Sequence, residues 1–172
     1  NNALYGVKSE VSDISRLPAQ CIPGVTLKIR NTSEAAADDY YVVFEGSEGE
    51  IPGTGTWVET VKPGIVTDIN ASTMPHVLIR EADGDFTFRS LSKSAQIEAN
   101  GGVELPEEDY LFWAGRLVGD TVTNPNPSFV GDTIRDMFFY MNRLGLLSGS
   151  DVIMSQPSDY YNFFSGSAIS AS

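Results

Sequence analysis

The stretch from Asn124 to Phe164 constrains this chain more than any other. It opens on Asn124-Pro125-Asn126-Pro127. That opening forbids a helix, because a residue before proline avoids the helical region. Three apolar runs follow, broken by Asn142-Arg143 and by Ser148-Gly149-Ser150-Asp151. Each run has the length of a strand rather than of a helix. The breaks carry the Gly, Asn, Ser and Asp that tight turns need for positive φ or local side-chain hydrogen bonds. The stretch reads as two successive hairpins, a β-meander. A single amphipathic helix over residues 133–147 competes, since Ile134, Met137, Phe138, Met141 and Leu144 fall at helical spacing. Bulk on every face at Phe138-Phe139-Tyr140, and Gly145 in mid-pattern, argue for strands.

Upstream, Val25 to Arg30 alternates apolar and polar residues, the pattern of a half-buried strand. Tyr40 to Glu45 and Trp57 to Val61 are rich in aromatic and β-branched residues and supply two more. Together they imply a small antiparallel sheet with one buried face. Val77–Arg80 and Phe86–Arg89 are expected to pair across Asp83-Gly84, read as a two-residue type I′ turn. Ser12 or Asp13 caps a short helix that Pro18 ends. Ser90 to Asp109 reads as loop, with any domain boundary between residues 97 and 123. The expected fold is mainly β with few short helices. A small antiparallel β domain over 1–110 precedes a connecting segment and the meander over 111–172.

The string TNPNPSFVGDTIRDMFFYMNRLGLLSGSDVIMSQPSDYYNFF resembles the tail nozzle proteins, or tail tubular proteins B, of short-tailed bacteriophages. In that family a TNPxPSFVG stretch leads into an aromatic strand, then NRLGFLSGENV, then YFNF. Leu17-Pro18 with Pro23-Gly24, Asp39 to Val42, Thr56 to Thr60, Thr73 to His76 and Arg80 to Phe86 fall in the family's order. The stretch Ile97 to Asp109 has no placed equivalent. Nozzle proteins are several times longer, so the resemblance implies an internal fragment. It also implies that the meander is part of a β-propeller. It further implies a structural virion protein, a segment of the DNA exit conduit, assembled in the host cytoplasm. There it would work as a ring of like subunits, sixfold, beside adjacent tail proteins. Other readings are a virion-associated glycan hydrolase and a host-surface glycan-binding module.

Charge bears on the partner. The net charge of the 172 residues is −12, from 23 acids and 11 bases. Residues 1–127 hold 19 of the acids and 9 of the bases. Phosphate contacts need Lys and Arg, so DNA is expected to pass without specific binding. No stretch reaches the roughly 18 apolar residues of a membrane span, and no signal-peptide core opens the chain.

Chemistry finds little to work with. His76 is the one histidine, no Gly-x-Ser-x-Gly elbow accompanies it, and it reads as structural or exposed. Cys21 is the one cysteine and reads as a buried inert thiol. The pair cannot build a usual zinc site. Asp38-Asp39, Asp83 with Asp85, and Glu107-Glu108-Asp109 are the carboxylate clusters from which a hydrolase pair would come. Each reads more simply as a solvated turn. Phe138-Phe139-Tyr140 lacks the interleaved bases of a nucleic-acid platform and reads as core or subunit interface. Arg143 is expected to meet a buried acid or to satisfy turn carbonyls. No catalytic residue, cofactor or metal is expected.

Overall fold

The computed structural model describes residues 6, 8–30, 39–46, 52–106 and 109–169. Asp38, Glu107 and Glu108 lie outside them. The described chain is mainly β, as expected. The contacts divide it into two compact units. Unit 1 comprises Asn1–Thr67, Arg116–Pro125 and Ser165–Ser172, and unit 2 comprises Asp68–Gly115 and Asn126–Phe164.

Unit 1 is built on a five-stranded sheet of order β1-β3-β4-β5-β2. Its strands are β1 (Glu10–Val11), β2 (Gln20–Cys21), β3 (Thr26–Ile29), β4 (Tyr40–Gly46) and β5 (Gly53–Thr60). All pairs are antiparallel except β1 with β3. The alternation read in the sequence sets the faces. Leu27 pairs with Val42 and Ile29 with Tyr40, and all four are buried in one cluster. Asp13 caps a 3-10 turn over Ile14–Arg16, accepting from the Ser15 N–H at 2.7 Å. Pro18 ends it, and its carbonyl accepts from the Trp57 indole at 3.0 Å. Strand β5 starts four residues before the expected Trp57. Its glycines explain the early start: Gly55 lies opposite Gly46, and Phe44 packs over the space a side chain would fill.

Unit 2 holds the hairpin of β6 (Val77–Arg80) and β7 (Phe86–Arg89), with the expected partners. Its turn differs from the expectation. The Gly84 N–H donates to the Glu81 carbonyl at 3.1 Å, and the Glu81 N–H donates to the Asp85 carbonyl at 2.8 Å. Only Gly84 is left-handed, at φ 96. Asp83 instead accepts the Asp85 N–H on its carboxylate at 3.0 Å. The connection is thus a type I turn closed by a left-handed glycine, not a type I′ turn.

A second correction is α1 (Lys93–Ala99), in a region read as loop. Ser92 caps it, and Gly101 and Gly102, both left-handed, close its end by donating to Glu98 and Ile97 carbonyls at 3.1 and 2.8 Å. That ending is the usual one for a helix.

The meander forms a sheet of order β10-β9-β8, from β8 (Ile134–Tyr140), β9 (Arg143–Ser148) and β10 (Asp151–Met154). Met141 and Asn142 make the first turn, at φ 46 and 59, so Arg143 belongs to the strand rather than to the break. Gly149, at φ 57, opens the second. A bulge between Ile134 and Asp136 shifts the register of β8. Leu144 and Leu146 face a core with Ile69, Met74, Leu91, Trp113, Phe129 and Phe164. The aromatic tail packs there too: Tyr161 and Phe163 meet the Trp113 ring at 5.8 and 6.1 Å.

Candidate functional site

The residues singled out by chemistry are dispersed. His76 Nδ1 sits 3.2 Å from the Met74 carbonyl, and its ring stacks on Phe88 at 5.1 Å. Cys21 is buried and free. Asp39 is buried against Lys28 at 2.6 Å, and this pair holds the Lys28 ammonium above its ordinary value. Asp83 and Asp85 serve the hairpin turn. The Asp109 N–H donates to the Pro106 carbonyl at 3.0 Å. Among the described residues no three His, Cys, Asp or Glu side chains converge in a way that could hold a metal ion.

Several residues of the meander motif hold its turns and strands together. Left-handed Asn142 accepts the Tyr160 hydroxyl at 2.7 Å and donates to Ser158 Oγ at 2.5 Å. Arg143 Nη1 donates to the Ser155 carbonyl at 3.2 Å, a main-chain partner beyond β10 rather than an acid or a carbonyl of its own turn. The buried Ser155 hydroxyl accepts from the Leu144 N–H at 2.9 Å. Phe138 covers Gly145, whose absent Cβ would lie 2.3 Å from the ring. Phe139 meets Tyr160 edge-on at 5.4 Å.

Unit 2 exposes several large apolar side chains. Strand β8 is an edge strand, and its Met137 and Phe139 remain 58% and 68% exposed. The β6–β7 hairpin shows Leu78, Phe86 and Phe88, all exposed. An unpaired strand edge carrying large apolar groups can accept a further strand or a partner surface. Unit 2 also contains an open cleft of about 680 Å³ beside α1, lined by Ile69, Leu91, Ile97, Phe112, Trp113 and a polar rim.

Among the buried polar residues that sequence reasoning missed are Gln96, Arg116 and Asn124. Gln96 pairs its amide with the Leu111 backbone, accepting the N–H at 3.0 Å and donating to the carbonyl. This pins the irregular apolar run 110–113 beside α1. Arg116, 2% exposed, donates from Nε to the Asn124 carbonyl at 2.5 Å and from Nη1 to the Val66 carbonyl at 2.8 Å. Burial draws its guanidinium below the ordinary value, opposed by the charge of Asp120. Asn124, 3% exposed, donates to the Val118 and Ser165 carbonyls at 3.0 and 3.1 Å and accepts the Ser165 N–H at 3.1 Å. Beside it burial pushes the Asp120 carboxyl up. The Val122 and Thr123 N–H groups and the Thr123 hydroxyl outweigh that effect and leave the carboxyl below its ordinary value. Only Asn124 carried a signal, as the first residue of the Asn-Pro-Asn-Pro string. The partners of all three are long-range or main-chain groups.

The comparisons agree with the motifs. The family described as bacteriophage nozzle protein matches over residues 1–172. Tail tubular protein gp12 of Escherichia phage T7 is 35% identical over 153 residues. That match covers 89% of this chain and 16% of the relative, so the chain spans about a sixth of that protein's length. The chain belongs to the bacteriophage nozzle protein family.

Proposed function

We propose that the chain is a structural segment of a phage tail nozzle, contributing to the wall of the DNA exit conduit in the virion. The family match across residues 1–172 carries this reading. The parent protein works as a ring of like subunits, sixfold, against adjacent tail proteins, and is assembled in the host cytoplasm. The meander is one part of a propeller whose other blades lie elsewhere in the parent. The open edge of β8, with Met137 and Phe139 exposed, supports an arrangement in which further strands complete the sheet. The segment performs no catalysis and holds no cofactor. DNA slides past it without specific contacts, as the net charge of −12 favours. Neither comparison speaks for a glycan hydrolase or a glycan-binding module.

Two measurements test the reading. Negative-stain images of the full-length parent are expected to show rings; a strictly monomeric parent at micromolar concentration refutes it. Duplex DNA is expected to migrate unretarded with this chain at micromolar protein and physiological salt. Binding with a steep salt dependence would overturn the passive-wall reading.

A further inference from the structure

The chain passes between unit 1 and unit 2 four times: after Thr67, before Arg116, after Pro125 and before Ser165. On the unit 1 side, hydrogen bonds gather these four places at one point. The Arg116 N–H donates to the Thr67 carbonyl at 2.9 Å, and its guanidinium reaches Val66 at 2.8 Å and Asn124 at 2.5 Å. Asn124 in turn bonds both main-chain groups of Ser165 at 3.1 Å. Every one of these residues belongs to unit 1, and Arg116 and Asn124 are almost wholly buried. We infer that Arg116 and Asn124 form a clasp that makes the two units unfold as one.

The argument is one of loop closure. Both stretches of unit 2, residues 68–115 and 126–164, begin and end at the clasp. While unit 1 is folded, the ends of each stretch are already together, so unit 2 folds without the entropy loss of bringing them together. When unit 1 unfolds, all four ends are released and unit 2 loses that advantage. The Arg116 and Asn124 side chains are buried, and two of the bonds are donated by the Arg116 guanidinium. Such bonds are the stronger kind, and their groups are costly to leave unsatisfied. The clasp therefore fastens the ends instead of letting them fray.

The two tryptophans allow a direct test, since Trp57 lies in unit 1 and Trp113 in unit 2. In the full chain, Trp113→Phe leaves Trp57 as the reporter, and Trp57→Phe leaves Trp113. Urea unfolding is followed in each background by fluorescence, which reads one unit, and on the same sample by far-UV circular dichroism, which reads the whole chain, and the two midpoints of that sample are compared. With the clasp intact the two midpoints coincide, and Leu27→Ala, in the unit 1 core away from the clasp, moves both down together. Asn124→Ala separates them by roughly 0.5 M urea or more, with Trp113 reporting the earlier loss. If Asn124→Ala does not fold, Arg116→Lys is used; it keeps the charge and removes the fork that spans Val66 and Asn124, and the same separation is expected. Midpoints that already differ with the clasp intact, or that stay together in the folded clasp variant, overturn the inference.

Discussion

Gly55 and Gly53 stand two residues apart in β5 and meet opposite surroundings. A Cβ built on Gly55 would lie 2.1 Å from the Glu45 carbonyl oxygen and 2.8 Å from the Phe44 ring. Carbon–oxygen contacts settle near 3.3–3.6 Å, so β4 and β5 would have to part by about 1 Å or more at this pair. Parting gives up one or two ladder bonds, at about 1 kcal/mol each. Phe44 is 1% exposed and has no room to swing away. Forcing it off its position adds about 1–3 kcal/mol, the usual range for overpacking. Gly55→Ala is therefore expected to cost about 3–5 kcal/mol, a large share of the ~5–15 kcal/mol that holds an ordinary domain folded. Gly53 has no heavy atom within 4 Å of the same position, and its φ is not left-handed. Gly53→Ala is expected to be neutral or to stabilise by up to about 1 kcal/mol, through the unfolded chain. Urea unfolding is followed by Trp57, whose ring meets Phe44 edge-on at 5.1 Å, with Trp113 replaced by Phe. A Gly55→Ala variant within about 0.5 kcal/mol of its parent, or two alanine variants of equal stability, would refute the reasoning.

Three further outcomes are expected. Gly84→Val lowers stability by about 1–2 kcal/mol, because a β-branched residue is strained at φ 96, whereas Asp83→Ala loses only its bond to Asp85 and costs less than about 1 kcal/mol; thermal melts of the two variants separate these effects. Met141 is left-handed at φ 46 and 75% exposed, so Met141→Asn raises the melting temperature, with a gain of about 0.5–1 kcal/mol; a lower melting temperature would mean that its side chain contributes more than its backbone strain. Asp120 has a folded pKa below the ordinary 3.8, so its contribution is present above that value and is lost as pH falls through the lower folded one. Acid unfolding of the parent below about pH 4 is therefore expected to be steeper than that of Asp120→Asn.

Local patterns were legible and distant partners were not. The strands over 77–89 and 134–154 show in the sequence because short apolar runs and turn residues fix them within a few positions. The Asp83-Gly84 turn was located correctly but its type was not. Two features of the fold decide it: the carboxylate of Asp83 satisfies the Asp85 N–H, and only Gly84 turns left-handed. Helix α1 was missed because its seven residues show one buried side chain, Gln96, and so no apolar face. Ser92 before it and Gly101-Gly102 after it were the available signals. Arg143 takes a partner that turn chemistry does not suggest, the Ser155 carbonyl twelve residues on. The clasp was invisible because Arg116 reaches back 50 residues to Val66, and Asn124 reaches forward 41 to Ser165. No spacing rule connects such positions.

The reach of Glu59 has a consequence for how the protein is made. Its carboxylate accepts the Ser167 hydroxyl at 2.8 Å and the Ala168 N–H at 2.9 Å, and these donors lie 108 and 109 residues downstream. Chains are synthesised at about 5–20 residues per second, so Glu59 is added on the order of 5–20 s before its donors. Over that interval β4 and β5 can pair, but the face that Ala168 covers stays open. Unit 1 therefore cannot finish in the vectorial order of its strands. Its final closure waits for residues 167 and 168, and a nascent chain stalled before Ser165 carries a sheet whose covered face is still open.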